Sequence, residues 1–450
     1  MSGGRTHHAL TVGMLIGVLL TGCRTETPPP QGPQPPSPGA TAASAPTDDR
    51  PAEPPVADDA QAVEALSAAG FQLVRGPAGE VVELSASADG DISATLAHLA
   101  GAPQVQVVRL TGPGLSDQGL EVLARLRKLK RLDLTDSAIS DKTLESIRDL
   151  PQLEALALRR TAVTDEGLKQ LVGLPRLRAL DLRNSNITDA GVAHLVELGT
   201  LVDLQLEKSK VTDAGVARLA RLPLKSINLN YCTSIGDASL TVLGGMPTLE
   251  SVQLDATRIS DAAMPAVRAL SRLRQLRIRD TDITGAGLAH LAGLNGLERL
   301  DLRGTSVDDD GLAVIAALPK LSYLDLSECR LVTPAGLKGL GRATGLRYLG
   351  LWETRLDDEA FAAMGELDQL EELDLKATQI SDQSAPVLLR LKQLVRLNLA
   401  GTQLSDETFG QLIQLPNLKW LNVANTGIGL EVIDQLKQAR PDLEIVEFET

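Results

Sequence analysis

Aromatic side chains are scarce in this sequence of 450 residues: two tryptophans, three tyrosines and four phenylalanines, although hydrophobic residues make up 43%. Ring packing cannot build the core, and leucine takes that place. Positive charge is in deficit, with a formal net charge of −14. That balance argues against a general nucleic-acid or anionic-membrane binder. No lysine- or arginine-rich run of the usual length appears either. Long hydrophobic runs are missing too. The most apolar stretch, "ALTVGMLIGVLL" from Ala9 to Leu20, has twelve residues, too few to span a bilayer. Cysteine occurs three times, as Cys23, Cys232 and Cys329.

The short apolar run suits a signal-peptide core. Arg5, His7 and His8 precede it and "LTGC", Leu20 to Cys23, follows. This arrangement resembles the bacterial lipoprotein signal. The resemblance implies cleavage before Cys23 and a lipid on that residue. The alternative is an ordinary secretory signal with a chance cysteine. Position 24 is Arg24 rather than an acidic residue, which by the same resemblance favours the outer membrane. The side of the envelope faced by the protein stays open. Next comes "PPPQGPQPPSPGATAASAP", Pro28 to Pro46, with no charge and few large apolar side chains. Such a segment buries too little surface to offset its ordering entropy and favours extended conformations. We read residues 23–60 as a disordered tether after a 1–22 signal peptide.

Length alone would allow about three domains, but a repeat array breaks that count. The unit reads L-x-x-L-x-L-x-x-T-x-I-T-D-x-G-L-x-x-L-x-x-L-P-x. Starts fall at Val105, Leu129, Leu153, Leu177, Leu201, Leu224, Leu249, Leu273, Leu297, Leu321, Leu346, Leu370, Leu394 and Leu418. A degenerate unit begins near Val81. In "LRALDLRNS", Leu177 to Ser185, apolar residues alternate as in a strand. Leu180 and Leu182 face the core, and Ala179, Asp181 and Arg183 face away. "TDAGVAHLVEL" then shifts to helical spacing, with Thr188 or Asp189 as N-cap. One unit cannot bury its leucines alone, whereas stacked units share a continuous core. From the unit at Leu129 onward the ninth place holds a hydroxyl or thiol, from Ser137 and Thr161 through Cys232 and Cys329 to Thr426. Such short side chains can satisfy turn backbone groups.

This pattern resembles the leucine-rich repeat family over most of the chain. The Thr-Asp-x-Gly-Leu variant is similar to bacterial repeat proteins and to the cysteine-containing repeats of eukaryotic F-box adaptors. No F-box-like helical segment precedes it, so that role does not carry over. The resemblance implies an α/β solenoid, a curved horseshoe with a parallel sheet on its concave face and short helices on its convex face. "AVEALSAAGF", Ala62 to Phe71, reads as a capping helix and strand. The expected division is a cap at 61–80, repeats over 81–442, and a closing strand at 443–450.

Candidate chemistry is thin. Cys232 and Cys329 share a column four units apart, about 20 Å at strand spacing, beyond disulfide or two-cysteine metal reach. His98, His194 and His290 fall at one helical position, also four units apart, so no triad or zinc cluster forms among them. "DDDG", Asp308 to Gly311, lacks the alternation of a calcium loop. "RGPAGE", Arg75 to Glu80, has no following lysine and reads as a turn. We expect no enzyme, no catalytic residue, no cofactor and no metal.

What remains is surface. The register puts Tyr323, Tyr348, Trp352 and Trp420 on the concave face and Tyr231 one place beyond. Arg277, Arg279, Arg299 and Arg303 come from two strands beside them. Arg279 and Arg303 share a column, as do Asp301 and Asp325, and neighbouring like charges cost stability. Aromatics and arginines on a small-residue surface have the composition of interface hot spots; sugar rings could also stack there. The alternative is that the aromatics merely pack along a strand. The expected function is an extracytoplasmic, lipid-anchored scaffold binding a protein, or a glycan or envelope polymer, through this face. The alternative is a structural envelope lipoprotein without a specific partner.

Overall fold

The computed structural model describes residues 57–448. The apolar run, Cys23 and the stretch from Pro28 to Pro46 lie outside the described residues. A helix at Ala60–Ala68 opens the described chain, and Asp59 caps it by accepting from the N–H groups of Gln61 and Ala62. The cap therefore begins two residues before Ala62, inside the segment read as tether, because Asp59 supplies the helix start. Ala62, Val63 and Leu66 seal the first core layer. Strand Gln72–Arg75 pairs antiparallel with Val81–Ser87. From there each strand pairs in parallel with the next in chain order, ending at Glu444–Val446. Seventeen strands form one unclosed sheet among the described residues.

Register follows the repeat: Leu276 sits beside Leu300, Leu324 beside Leu349 and Leu397 beside Leu421. These inward leucines are fully buried in one continuous core. The return segments are short helices, some α, such as Asp189–Leu195, and some 3-10, such as Asp261–Ala269. Pro265 lies inside that last helix and lacks the N–H an α-helix needs.

Most ninth-place hydroxyls behave as expected, whereas Ser185 Oγ is buried without a hydrogen-bond partner among the described residues and Ser209 Oγ contacts Cys232 Sγ. Thr305 Oγ1 donates to the Leu302 carbonyl at 2.6 Å and Thr378 to that of Leu375 at 2.7 Å. Cys329 Sγ instead donates to the Leu302 carbonyl of the preceding unit, and Cys232 Sγ to that of Leu206, each at 3.2 Å. Both thiols are free and buried. One place earlier, the chain turns through the left-handed region, for instance at Lys208, Tyr231 and Ala377 with φ of 57°, 59° and 54°.

Thr and Asp in the Thr-Asp-x-Gly-Leu motif have separate tasks. Thr188 is the N-cap, its hydroxyl accepting from the Ala190 N–H. Asp189 reaches forward into the next unit, accepting from the Thr212 N–H at 2.8 Å and hydroxyl at 2.6 Å. The glycine is explained by the same carboxylate. A Cβ on Gly215 would lie 2.3 Å from Asp189 Oδ1, and one on Gly191 would lie 2.3 Å from Asp165 Oδ1. Where glycine is replaced by Thr143, Ser239, Ser384 or Thr408, the new hydroxyl donates to that same aspartate.

Candidate functional site

Three outward places per strand make up the sheet face turned away from the helices. In the third place, Arg299, Tyr323 and Tyr348 lie side by side on successive strands. The two tyrosine rings stack at 4.0 Å between centroids with planes 7° apart. The Arg299 guanidinium covers the Tyr323 ring at 3.3 Å. Both faces of Tyr323 are therefore occupied. Burial pushes its hydroxyl up to about 12, against the pull of Arg299. Burial and the carboxylate of Asp325 raise that of Tyr348 further.

Trp352, in the seventh place, lies between two cations. The Arg303 guanidinium sits 4.4 Å from its ring and the Lys376 ammonium 5.0 Å. Arg303 belongs to a strand two units back. The intervening seventh place is Ser327, small and buried, which leaves room for the indole to reach across. Arg303 is also held by Glu328 at 2.5 Å.

Acid groups fill the floor. Asp255 is buried, and Arg277 Nη2 lies 2.5 Å from its carboxylate. Asp301 faces Arg277 Nε and Arg279 Nε, each at 3.7 Å. The like-charge column expected from register is present, with Asp301 directly beside Asp325; on its other side Asp301 stands beside Arg277 in the fifth place. Beyond Asp325, Gly350 leaves room for its carboxylate, since a Cβ there would meet Asp325 Oδ1 at 2.5 Å. Burial still dominates at Asp301. Together with Asp325 it pushes the carboxyl up to about 7, against Arg279.

Tyr323, Tyr348, Trp352, Arg299 and Arg303 are thus brought together. Arg277 and Arg279 sit deeper, with side chains only 19% and 22% exposed, and serve the acid floor. Trp420 stands apart, three strands from Tyr348 (about 14 Å), with Arg396 over its ring at 4.2 Å. Tyr231 is exposed in its turn, with Lys208 at 5.2 Å. Sequence reasoning missed Lys376, Glu328 and Gly350. A glycine inside a strand is a signal of close approach, and Gly350 carried it.

Unpaired donors gather here. Gln275 Nε2, Arg277 Nε, Arg279 Nε, Arg299 Nε and Trp352 Nε1 are buried without a hydrogen-bond partner among the described residues. No grouping of three or more metal-ligating side chains occurs among the described residues, and none of their helices is long and apolar enough to cross a membrane.

A solenoid of parallel strands and short helices, with its large polar side chains on the strand face, defines a repeat scaffold. The leucine-rich repeat region family model matches residues 91–334 and 324–441, and the chain belongs to that family. No curated protein matches it in sequence. Among solved structures it is similar to a leucine-rich-repeat protein of Leptospira interrogans, with 20% identity over 80% of this chain and 99% of that one, TM-score 0.50. It is also similar to the mouse RP105/MD-1 complex, with 19% identity over 81% of this chain and 65% of that one, TM-score 0.53. The yeast Rad7 and Elc1 complex matches with 18% identity over 74% and 84%, TM-score 0.51.

Proposed function

We propose that this chain is a membrane-tethered, extracytoplasmic scaffold that binds a protein through the patch formed by Arg299, Arg303, Tyr323, Tyr348 and Trp352. The observation that carries this reading is the two buried N–H donors at the patch, Arg299 Nε and Trp352 Nε1, that have no hydrogen-bond partner among the described residues. In a folded protein such groups are nearly always paired, and a partner's carbonyls and carboxylates would pair them. Two of the similar structures are complexes, RP105 with MD-1 and Rad7 with Elc1. A sugar ring is the poorer fit, because Arg299 and Tyr348 close both faces of Tyr323 and cations flank Trp352.

The test is capture of a partner from cell-envelope extracts by the immobilised chain, followed by titration against four variants. Trp352→Ala and Tyr348→Ala are each expected to weaken binding by about 2 kcal/mol or more. Arg159→Ala and Arg183→Ala, on the same face five or more units away, should bind as the wild type does. Thermal unfolding of each variant checks that the fold survives. Equal binding by all four would remove the patch from consideration, and failure to capture any protein would favour the structural envelope reading.

A further inference from the structure

The segment "RLRKLKR", Arg125 to Arg131, carries five cations in seven residues of a chain whose net charge is −14. Leu126 and Leu129 interrupt it, which hides it from a search for unbroken runs. Both leucines are buried, whereas Arg125, Arg127, Lys128, Lys130 and Arg131 are all exposed. The segment runs from the end of the 3-10 helix Leu120–Arg125 into the strand Arg131–Asp133. The five cations therefore form a band around one lateral edge of the solenoid. Arg127 donates to the Asp149 carbonyl at 2.9 Å. Arg125, Lys128, Lys130 and Arg131 pair with no carboxylate among the described residues.

The other units are built-in controls. At the same places they read "DLPQLEA" (149–155), "GLPRLRA" (173–179), "GLNGLER" (293–299) and "QLPNLKW" (414–420). Where the unit at 390–396 has three cations, "RLKQLVR", Arg390 pairs with Glu366, Arg396 lies near Glu372, and Lys392 donates to the Gln414 carbonyl. Stacking therefore does not require the charges at 125–131. Their mutual repulsion opposes folding rather than helping it. Glu154 is the acidic residue at the neighbouring strand start, and it stands between Lys130 and Arg178 in its column.

We propose that the Arg125–Arg131 edge is a contact surface for an anionic, phosphate-bearing lipid bilayer. No aromatic residue occurs between Phe71 and Tyr231, so the band offers no ring for stacking nucleobases and no aromatic anchor for a protein partner. Long, flexible cations spread over an edge suit a dense layer of headgroup phosphates, each basic residue adding its own share of attraction. Screening confines the field to about 8 Å at physiological salt, so the band acts locally whatever the total charge of the chain. The contact needs no lipid on Cys23.

The test uses the full chain with Cys23→Ser, so that no acyl group contributes, and follows co-sedimentation with vesicles. One set is pure phosphatidylcholine, which measures any contribution of the apolar run Ala9–Leu20. The other is an equimolar mixture with phosphatidylglycerol. The wild type should bind the anionic set more strongly, and the excess should vanish in 1 M salt, where the screening length is about 3 Å. Arg125→Glu, Lys128→Glu and Lys130→Glu together should lower the anionic binding constant about 100-fold or more. Arg268→Glu, Arg272→Glu and Lys320→Glu make the same change in net charge on distant units and should leave it within a few-fold. Equal binding to both vesicle sets, equal loss in both triple variants, or binding that survives high salt would each overturn the proposal. So would soluble polyglutamate that binds as tightly as the vesicles and displaces them, which would mark an acidic-protein surface instead. The salt arm needs only the unaltered band and so does not depend on the variants folding.

Discussion

Asp301 and Asp382 carry the same side chain with opposite character. Burial and the neighbouring Asp325 hold the Asp301 carboxyl up at about 7. Hydrogen bonds from the Ser405 N–H and the Thr408 hydroxyl hold Asp382 below the ordinary range. The consequences for stability have opposite signs. Asp382 contributes stability that is present above its unfolded value and lost on acidification. For Asp301 the folded value lies above the unfolded one, so the fold is weakened as pH rises from the unfolded value through 7. Asp301→Asn should therefore compare more favourably with the wild type at pH 8 than at pH 5, by on the order of 1 kcal/mol. Denaturant titrations of both proteins at the two pH values check this; a difference that does not change with pH would mean that Asp301 ionises freely. At this scale the sequence placed Tyr323, Tyr348 and Trp352 on one face, because period-two alternation assigns each residue a side. It could not show that Arg299, Arg303 and Lys376 cover the rings, since that depends on side-chain reach across one or two strands.

Strand, turn and helix of each unit were legible from the change of hydrophobic period. The division of labour between Thr188 and Asp189 was not, because both side chains accept hydrogen bonds and both stand at a helix start. The structure gives the cap to the threonine and the inter-unit bond to the aspartate. Two exceptions support this reading. Where Gly285 and Pro334 stand in the aspartate's place, the next unit's N-cap is an aspartate, Asp308 or Asp357. Each accepts from its own helix, from the Gly311 N–H at 3.1 Å and the Ala360 N–H at 2.8 Å. A carboxylate in both places would set two anions against each other. Asp189→Ala and Thr212→Ala should each cost about 1–2 kcal/mol. Their double variant should lose less than the sum, with a coupling of about 1 kcal/mol. Urea unfolding of the four proteins closes the cycle, and strict additivity would break the assigned bond.

For the molecule as a whole, the family follows from the repeat, while the partner does not, because any ligand is read by a few side chains that the solenoid does not constrain. Attachment is a separate question, and "LTGC" motivates one answer to it. With Cys23→Ser the chain should leave the detergent-extracted membrane fraction for the soluble one at low divalent-cation concentration and high salt, conditions that strip electrostatic contacts. A variant that still fractionates with membranes there would refute lipid attachment at Cys23. The Asp189–Thr212 type of bond also bears on how such a chain lengthens. Each unit offers a carboxylate at one end and receives one at the other, like coupled wagons with matching hooks. A single unit can be copied or deleted and both junctions still fit. The units around Gly285 and Asp308, and around Pro334 and Asp357, have lost that interchangeability. A copy of the Asp308 unit alone would set Asp309 against a second Asp308, whereas copying it together with the Gly285 unit before it keeps the carboxylates apart.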